Sequence, residues 1–206
     1  SGGGGDESNP EVVDTGVIEL TAPATAGSVT LVADSDATTK LYEGNSVQEA
    51  LEYLMDNNLS DSYTITVGKG TYNELVFYTG AASITIEGAG EAEYGTDVVI
   101  TYENSGTINA MTDLAKEHGV TSGYVRGSAR FDGTCSLVLK NITFQNTYKR
   151  TAGAKDTQAE TIVFSSTGNM IAHNSSFISH QDTLYLGNKG GRMWFYNSYI
   201  TGDVDF

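Results

Sequence analysis

Three polar clusters interrupt apolar stretches in the last third of this chain: "KDTQAET" around Gln158, "SHQDTLY" around Gln181 and Asp182, and "GDVDF" around Asp205. Gln158 and Gln181 are 23 positions apart, and Gln181 and Asp205 are 24 apart (181 − 158 and 205 − 181). If one turn of a coiled chain uses about that many residues, each cluster lies one turn below the next. Two glutamine amides and two carboxylates then share a face. Neighbouring carboxylates resist ionising together, which leaves one anionic and the other holding a proton. One can attack while the other donates, and the amide N–H groups can hold the oxyanion formed when a nucleophile adds to an ester carbonyl. The pattern points to acyl transfer without serine, histidine or metal. A paired-carboxylate glycosidase fits the acids equally well but gives the glutamines less to do.

Taken singly, Gln158 or Asp182 reads more readily as a ladder or turn residue of a β-rich fold. Asp205 is harder to place that way. Between Val204 and Phe206, its carboxylate bears a desolvation cost unless a cation or several donors meet it.

The elements that must position these groups are mostly short strands, among them "YTITV", "ELVFY", "SITIE", "DVVITY", "SLVLKNITFQN", "TIVF", "DTLYL" and "RMWFYNSYIT". Few Asn-Gly or Asp-Gly turns separate them, so two-residue hairpins are not expected. Instead a unit returns: "NITF" at Asn141, "NSSF" at Asn174 and "NSYI" at Asn197, 33 and 23 residues apart. The longer interval contains "TYKRTAGAKDTQ", a polar loop inserted into a turn. The repeats suggest stacked coils rather than a sandwich with irregular strands. One helix is expected over Ser46–Asn57, with Ser46 and Glu49 as a capping box and Val47, Ala50, Leu51, Leu54 and Met55 on one face. A weaker one runs from about Asn109 to His118, ending at Gly119.

With 206 residues, 39% of them hydrophobic, the chain can bury one domain's core. Its 26 acidic and 11 basic residues give a net charge of −15, which disfavours nucleic acid and anionic membranes as partners. The single cysteine, Cys135, excludes internal disulfides and reads as a small buried hydrophobe. No membrane-spanning run is present. Residues 1–14 read as a flexible Gly-rich linker and 15–206 as one domain. Such an opening resembles the stretch after the lipid-bearing cysteine of bacterial surface lipoproteins, or else an interdomain linker, and points to the cell exterior. His118 and His173 have no carboxylate or histidine at metal-ligand spacing, and Arg192 reads as a surface or turn residue.

"KDTQA", "HQDTLY", "GGRMWFYNSYITGDVDF" and the preceding "LKNITFQN" together resemble the pectin methylesterases, the pectinesterases of carbohydrate esterase family 8. The likeness runs over roughly residues 47–206 and is close from Asn141 onward. It implies an all-β fold, a right-handed parallel β-helix with an N-terminal capping helix, acting outside the cell on methyl-esterified pectin. It implies Asp205 as nucleophile, Asp182 as acid and base, Gln158 and Gln181 as the anion hole, Tyr185 along the sugar groove, and neither metal nor organic cofactor. The family's arginine partner of the nucleophile comes from a downstream Leu-Gly-Arg-Pro-Trp segment that these residues lack. The expectation is therefore the N-terminal portion of such a domain, truncated at its C-terminal end. A non-catalytic module that binds uronate polysaccharide is the alternative.

Overall fold

In a computed structural model, residues 25–187 and 190–203 are described. The expected linker over 1–14, its boundary at residue 15, and Asp205 fall outside them. The chain enters through an antiparallel pair, β1 (Val29–Ala33) and β2 (Asp36–Gly44), followed by helix α1 (Val47–Asp56). It then winds in coils of three strands each. The first is β3 (Ser62–Val67), β4 (Gly70–Asn73) and β5 (Val76–Gly80). The second is β6 (Ser83–Gly88), β7 (Val98–Tyr102) and β8 (Ala129–Gly133), with helix α2 (Thr112–Glu117) between the last two. The third is β9 (Ser136–Lys140), β10 (Thr143–Asn146) and β11 (Ile162–Phe164), and the fourth β12 (Met170–His173), β13 (Ser176–Ile178) and β14 (Leu184–Leu186). A fifth begins with β15 (Met193–Tyr196) and β16 (Tyr199–Thr201).

Equivalent strands of successive coils pair in parallel. They build three sheets, ordered β15-β12-β9-β6-β3-β1-β2, β16-β13-β10-β7-β4 and β14-β11-β8-β5. This is a parallel β-helix. Its interior is filled by columns of like residues, one per coil, such as Ile65, Ile86, Leu139, Ala172 and Phe195. Phe144 and Phe177 stack with rings 6° from parallel. Cys135 is buried in this core, where burial pushes its thiol up to about 11.

The repeated asparagines mark the corner between the first and second strands of a coil. Asn141, Asn174 and Asn197 have φ of 53°, 45° and 45°, the left-handed region that asparagine tolerates better than most residues. Asn174 donates to the Asn141 side chain at 2.9 Å, so the corners are laddered as well as bent. They also divide the longer expected strands, because "SLVLKNITFQN" and "RMWFYNSYIT" each turn at their asparagine into two strands in different sheets. Coil length from β6 to β9 is 53 residues (Ser83 to Ser136), but only 23 from β12 to β15 (Met170 to Met193). The long coils therefore carry loops outside the strand stack.

The expected helix is present, with Val47, Ala50, Leu51 and Leu54 buried and Met55 half-buried. It packs against β1, β2, β3 and β5 and covers the N-terminal end of the coils. Its capping box is only half formed. Ser46 accepts from the Glu49 N–H at 3.1 Å, but the Glu49 carboxylate goes to the Tyr42 hydroxyl. The carboxylate at the helix start is Glu74, 26 residues from Gln48, which accepts from the Gln48 N–H and the Ser46 hydroxyl. The second helix is six residues long rather than ten, since Asn109 has φ +50° and Met111 supplies no capping side chain. A hairpin, β1 with β2, also forms where none was expected. Its turn is Asp34–Ser35, and Asp36 accepts from Thr38 and Thr39 to hold the strand that leaves it.

Candidate active site

The residues just ahead of β8, β11 and β14 lie one above another, because those strands are in register from Ala129 to Ile162 to Leu184. A column of hydroxyls ties this corner together. Ser128 donates to the Thr161 carbonyl at 3.1 Å, Thr161 to Thr183 at 2.8 Å, and Thr183 to Thr201 at 2.7 Å. All three donors are buried, so each hydroxyl finds its partner in a backbone carbonyl of the next coil rather than in water.

On this support Gln158 and Gln181 occupy adjacent coils, as the spacing predicts, and the Ala159 N–H donates to the Gln181 carbonyl. The Thr157 hydroxyl donates to Gln181 Oε1 at 2.6 Å. That bond occupies the amide oxygen as an acceptor, so the NH2 group is the end of the amide that can donate to an oxyanion. Ser179 fixes the backbone there, accepting from the Gln181 N–H and donating to the Ala159 carbonyl. Asp182 follows at φ +54°, a left-handed turn that swings its carboxylate off the strand line and leaves it half-buried.

Two further charged residues meet Asp182. Arg126 donates through Nε and Nη2 to Glu160 Oε1, each at 2.8 Å, and its Nη2 lies 3.8 Å from Asp182 Oδ2. The Glu160 side chain is fully buried. Burial raises its proton affinity above the usual carboxylate range, with Arg126 opposing the change. For Arg126, burial works against the charge, yet Glu160 and Asp182 outweigh it and raise its proton affinity. The loop carrying Arg126 is pinned from below. Asn104 donates to the Val125 and Gly127 carbonyls, both at 2.8 Å, and Arg130 donates to Ser122 and Tyr124 while paired with Asp132. Asn146 in turn donates to the Glu160 carbonyl.

Tyr185 stands beside this group. Its ring meets that of Tyr124 at 4.1 Å, and the Tyr124 guanidinium contact is Arg126, 4.6 Å above the ring centre. A hydrogen bond with Tyr124 raises the Tyr185 proton affinity. The pair borders a 350 Å³ cavity with Ser122, Arg130 and Ser165, a concave surface of aromatic and hydroxyl character suited to a sugar ring.

Gln158, Gln181, Asp182 and Tyr185 are thus gathered at one corner, while Asp205 lies beyond the described residues. Arg126, Glu160, Thr157 and Tyr124 were missed. Thr157 and Glu160 sit inside the very cluster that exposed Gln158, but Arg126 is 34 residues from Glu160, an offset lengthened by the third coil's loop. His118 is corrected: Glu52 and Asp56 of α1 lie with it, their ligand atoms within 4.8 Å of one another, and Glu52 pairs with Nε2 at 2.7 Å. Arg192 is exposed, as expected of a surface residue.

The family model described as Pectinesterase matches residues 30–206. A pectinesterase of Ralstonia solanacearum is 32% identical over 171 residues, 78% of this chain and 42% of the relative. One of Sitophilus oryzae is 26% identical over 183 residues, 79% of this chain and 47% of the relative. The chain therefore spans less than half the length of these curated relatives. The solved structure of the rice weevil pectin methyl esterase shares the fold with a TM-score of 0.58 at 19% identity, covering 96% of this chain and 55% of that one.

Proposed function

Because the chain belongs to the pectinesterase family, we propose that it provides part of the catalytic domain of an enzyme that hydrolyses the methyl esters of galacturonate in pectin, outside the cell. The observation that carries this reading is the corner itself. Gln181, its amide oxygen held by Thr157, stands beside Asp182 on one coil, Gln158 is on the coil below, and Tyr185, three residues after Asp182, lines an aromatic-walled cavity.

In the proposed reaction a carboxylate oxygen of Asp205 attacks the ester carbonyl carbon, and the Gln158 and Gln181 amides hold the oxyanion. Collapse expels methoxide, which takes the proton of Asp182 and leaves as methanol. The acyl group is then joined to Asp205 as an anhydride. Asp182, now ionised, takes a proton from water as the water attacks that carbonyl, and Asp205 departs as carboxylate. The product is a free galacturonic acid, which loses its proton to solvent to become galacturonate, and both aspartates return to their starting states. Tyr185 and Tyr124 give the sugar backbone its apolar wall.

The test is methanol release from highly methylated pectin by the natural polypeptide that carries these residues, with its Asp205→Asn variant beside it. Loss of at least about a thousandfold in kcat is expected for removing a nucleophile. Unchanged release by the variant, or pectin binding with no release by the parent, overturns the reading; the second outcome selects a binding module.

A further inference from the structure

The Arg126–Glu160 pair has no evident task in holding the fold. The segment that bears Arg126 is already fixed by two hydrogen bonds from Asn104 and two from Arg130. A buried ion pair is in any case weak support for stability, because desolvation offsets much of the attraction. Arg126 meets the Glu160 carboxylate at Oε1 through both Nε and Nη2, and Oε2 has no hydrogen-bond partner among the described residues. What the pair does is set a guanidinium 3.8 Å from Asp182.

We infer that Arg126 is a positioning residue for Asp182, and that Glu160 is the counter-charge that lets Arg126 orient this aspartate without fixing it in the ionised form. The inference rests on the reading of Asp182 as the proton donor. A donor must hold its proton until the leaving group needs it. An uncompensated guanidinium at this distance would lower the Asp182 pKa by about 1 to 3 pH units. Compensated by Glu160, Arg126 still presents an N–H toward Asp182, while the net charge facing the aspartate is close to zero. A lysine would not serve as well, since the planar guanidinium reaches Glu160 and Asp182 from one rigid group.

Further described residues border this corner. Tyr124, from the segment ahead of β8, lies against Arg126 and against Tyr185 of β14, and Gln158 is carried on the coil below, ahead of β11. The Arg150–Asp203 pair, 2.6 Å apart, reaches the neighbouring His180 through the Asp203 N–H. Asp205 is the group expected from the coil above.

The test reads the Asp182 carboxyl directly, by carbon-detected NMR titration of the 206-residue chain, so its outcome does not depend on pectin hydrolysis. Glu160→Gln should lower the Asp182 midpoint by about one pH unit or more. The double variant Arg126→Gln with Glu160→Gln should bring it back to within about half a unit of the parent, because both charges are gone. An Asp182 midpoint unmoved by Glu160→Gln overturns the inference. If that variant does not fold, the double variant, whose two amides can bond each other, decides: a midpoint more than about one unit from the parent means the pair was never compensated. Methanol release that survives Asp182→Asn would instead sink the assignment of Asp182 as donor and leave the titration result standing.

Discussion

Thr157 shows how small a side chain can govern the candidate site. Its hydroxyl donates to Gln181 Oε1 at 2.6 Å and so leaves the NH2 end of that amide as the donor. Replacing it by valine keeps the volume and removes the donor. On the proposed activity, Thr157→Val in the natural polypeptide should reduce kcat about tenfold with KM little changed, less than the roughly hundredfold or greater loss for deleting an oxyanion donor outright. Steady-state rates on methylated pectin check this, and a fall in kcat/KM carried by KM alone would count against it. At this scale the sequence exposed groups that recur once per coil, Gln158 and Gln181, and the acid beside the second. It could not expose Arg126, because a pairing across coils of unequal length leaves no fixed spacing to read.

The corners and caps act at the scale of elements. Asn174 holds a left-handed corner at φ 45° and bonds both Asn141 and the Tyr94 N–H. Asn174→Ala loses the bonds and strains the backbone, so a loss of about 2 kcal/mol is expected, while Asn174→Gly, free of the strain, should lose about 1. Denaturant unfolding of both variants tests the order, and equal losses would show that the corner conformation costs nothing. The helix start offers a pH dependence. Burial raises the proton affinity of Glu74 in the folded chain, against the opposing bonds from Gln48 and Ser46. Folding then favours the protonated form. Stability from this group is full below the unfolded carboxylate pKa of about 4.3 and is lost as pH rises through the higher folded value. Glu74→Gln should flatten that decline, as seen in thermal melts from about pH 4 to 7. A curve parallel to the parent's would exclude Glu74 as a source. Amphipathic spacing made α1 legible, but its capping acid comes from another strand and no local motif announces it.

For the whole molecule, the coil repeat was readable because each corner needs a residue that tolerates positive φ, and asparagine supplied it three times. The first two coils lack that marker at the same place and were correspondingly harder to see. The net charge of −15 also acts at this scale. On the proposed activity, it should make the natural polypeptide faster on highly methylated pectin than on sparsely methylated, anionic pectin at equal ester concentration, with the gap narrowing as salt screens the repulsion. Rates across degrees of esterification at about 0.01 and 0.5 M salt measure it; a preference that ignores ionic strength would place the selectivity in local contacts. Cys135, finally, gives the molecule a built-in clock. It is the chain's one thiol, sealed among the coils and held protonated by burial up to about 11. A thiol-directed label can reach it only during moments when neighbouring coils part, so the pace of labelling records how often the stack breathes open at its centre.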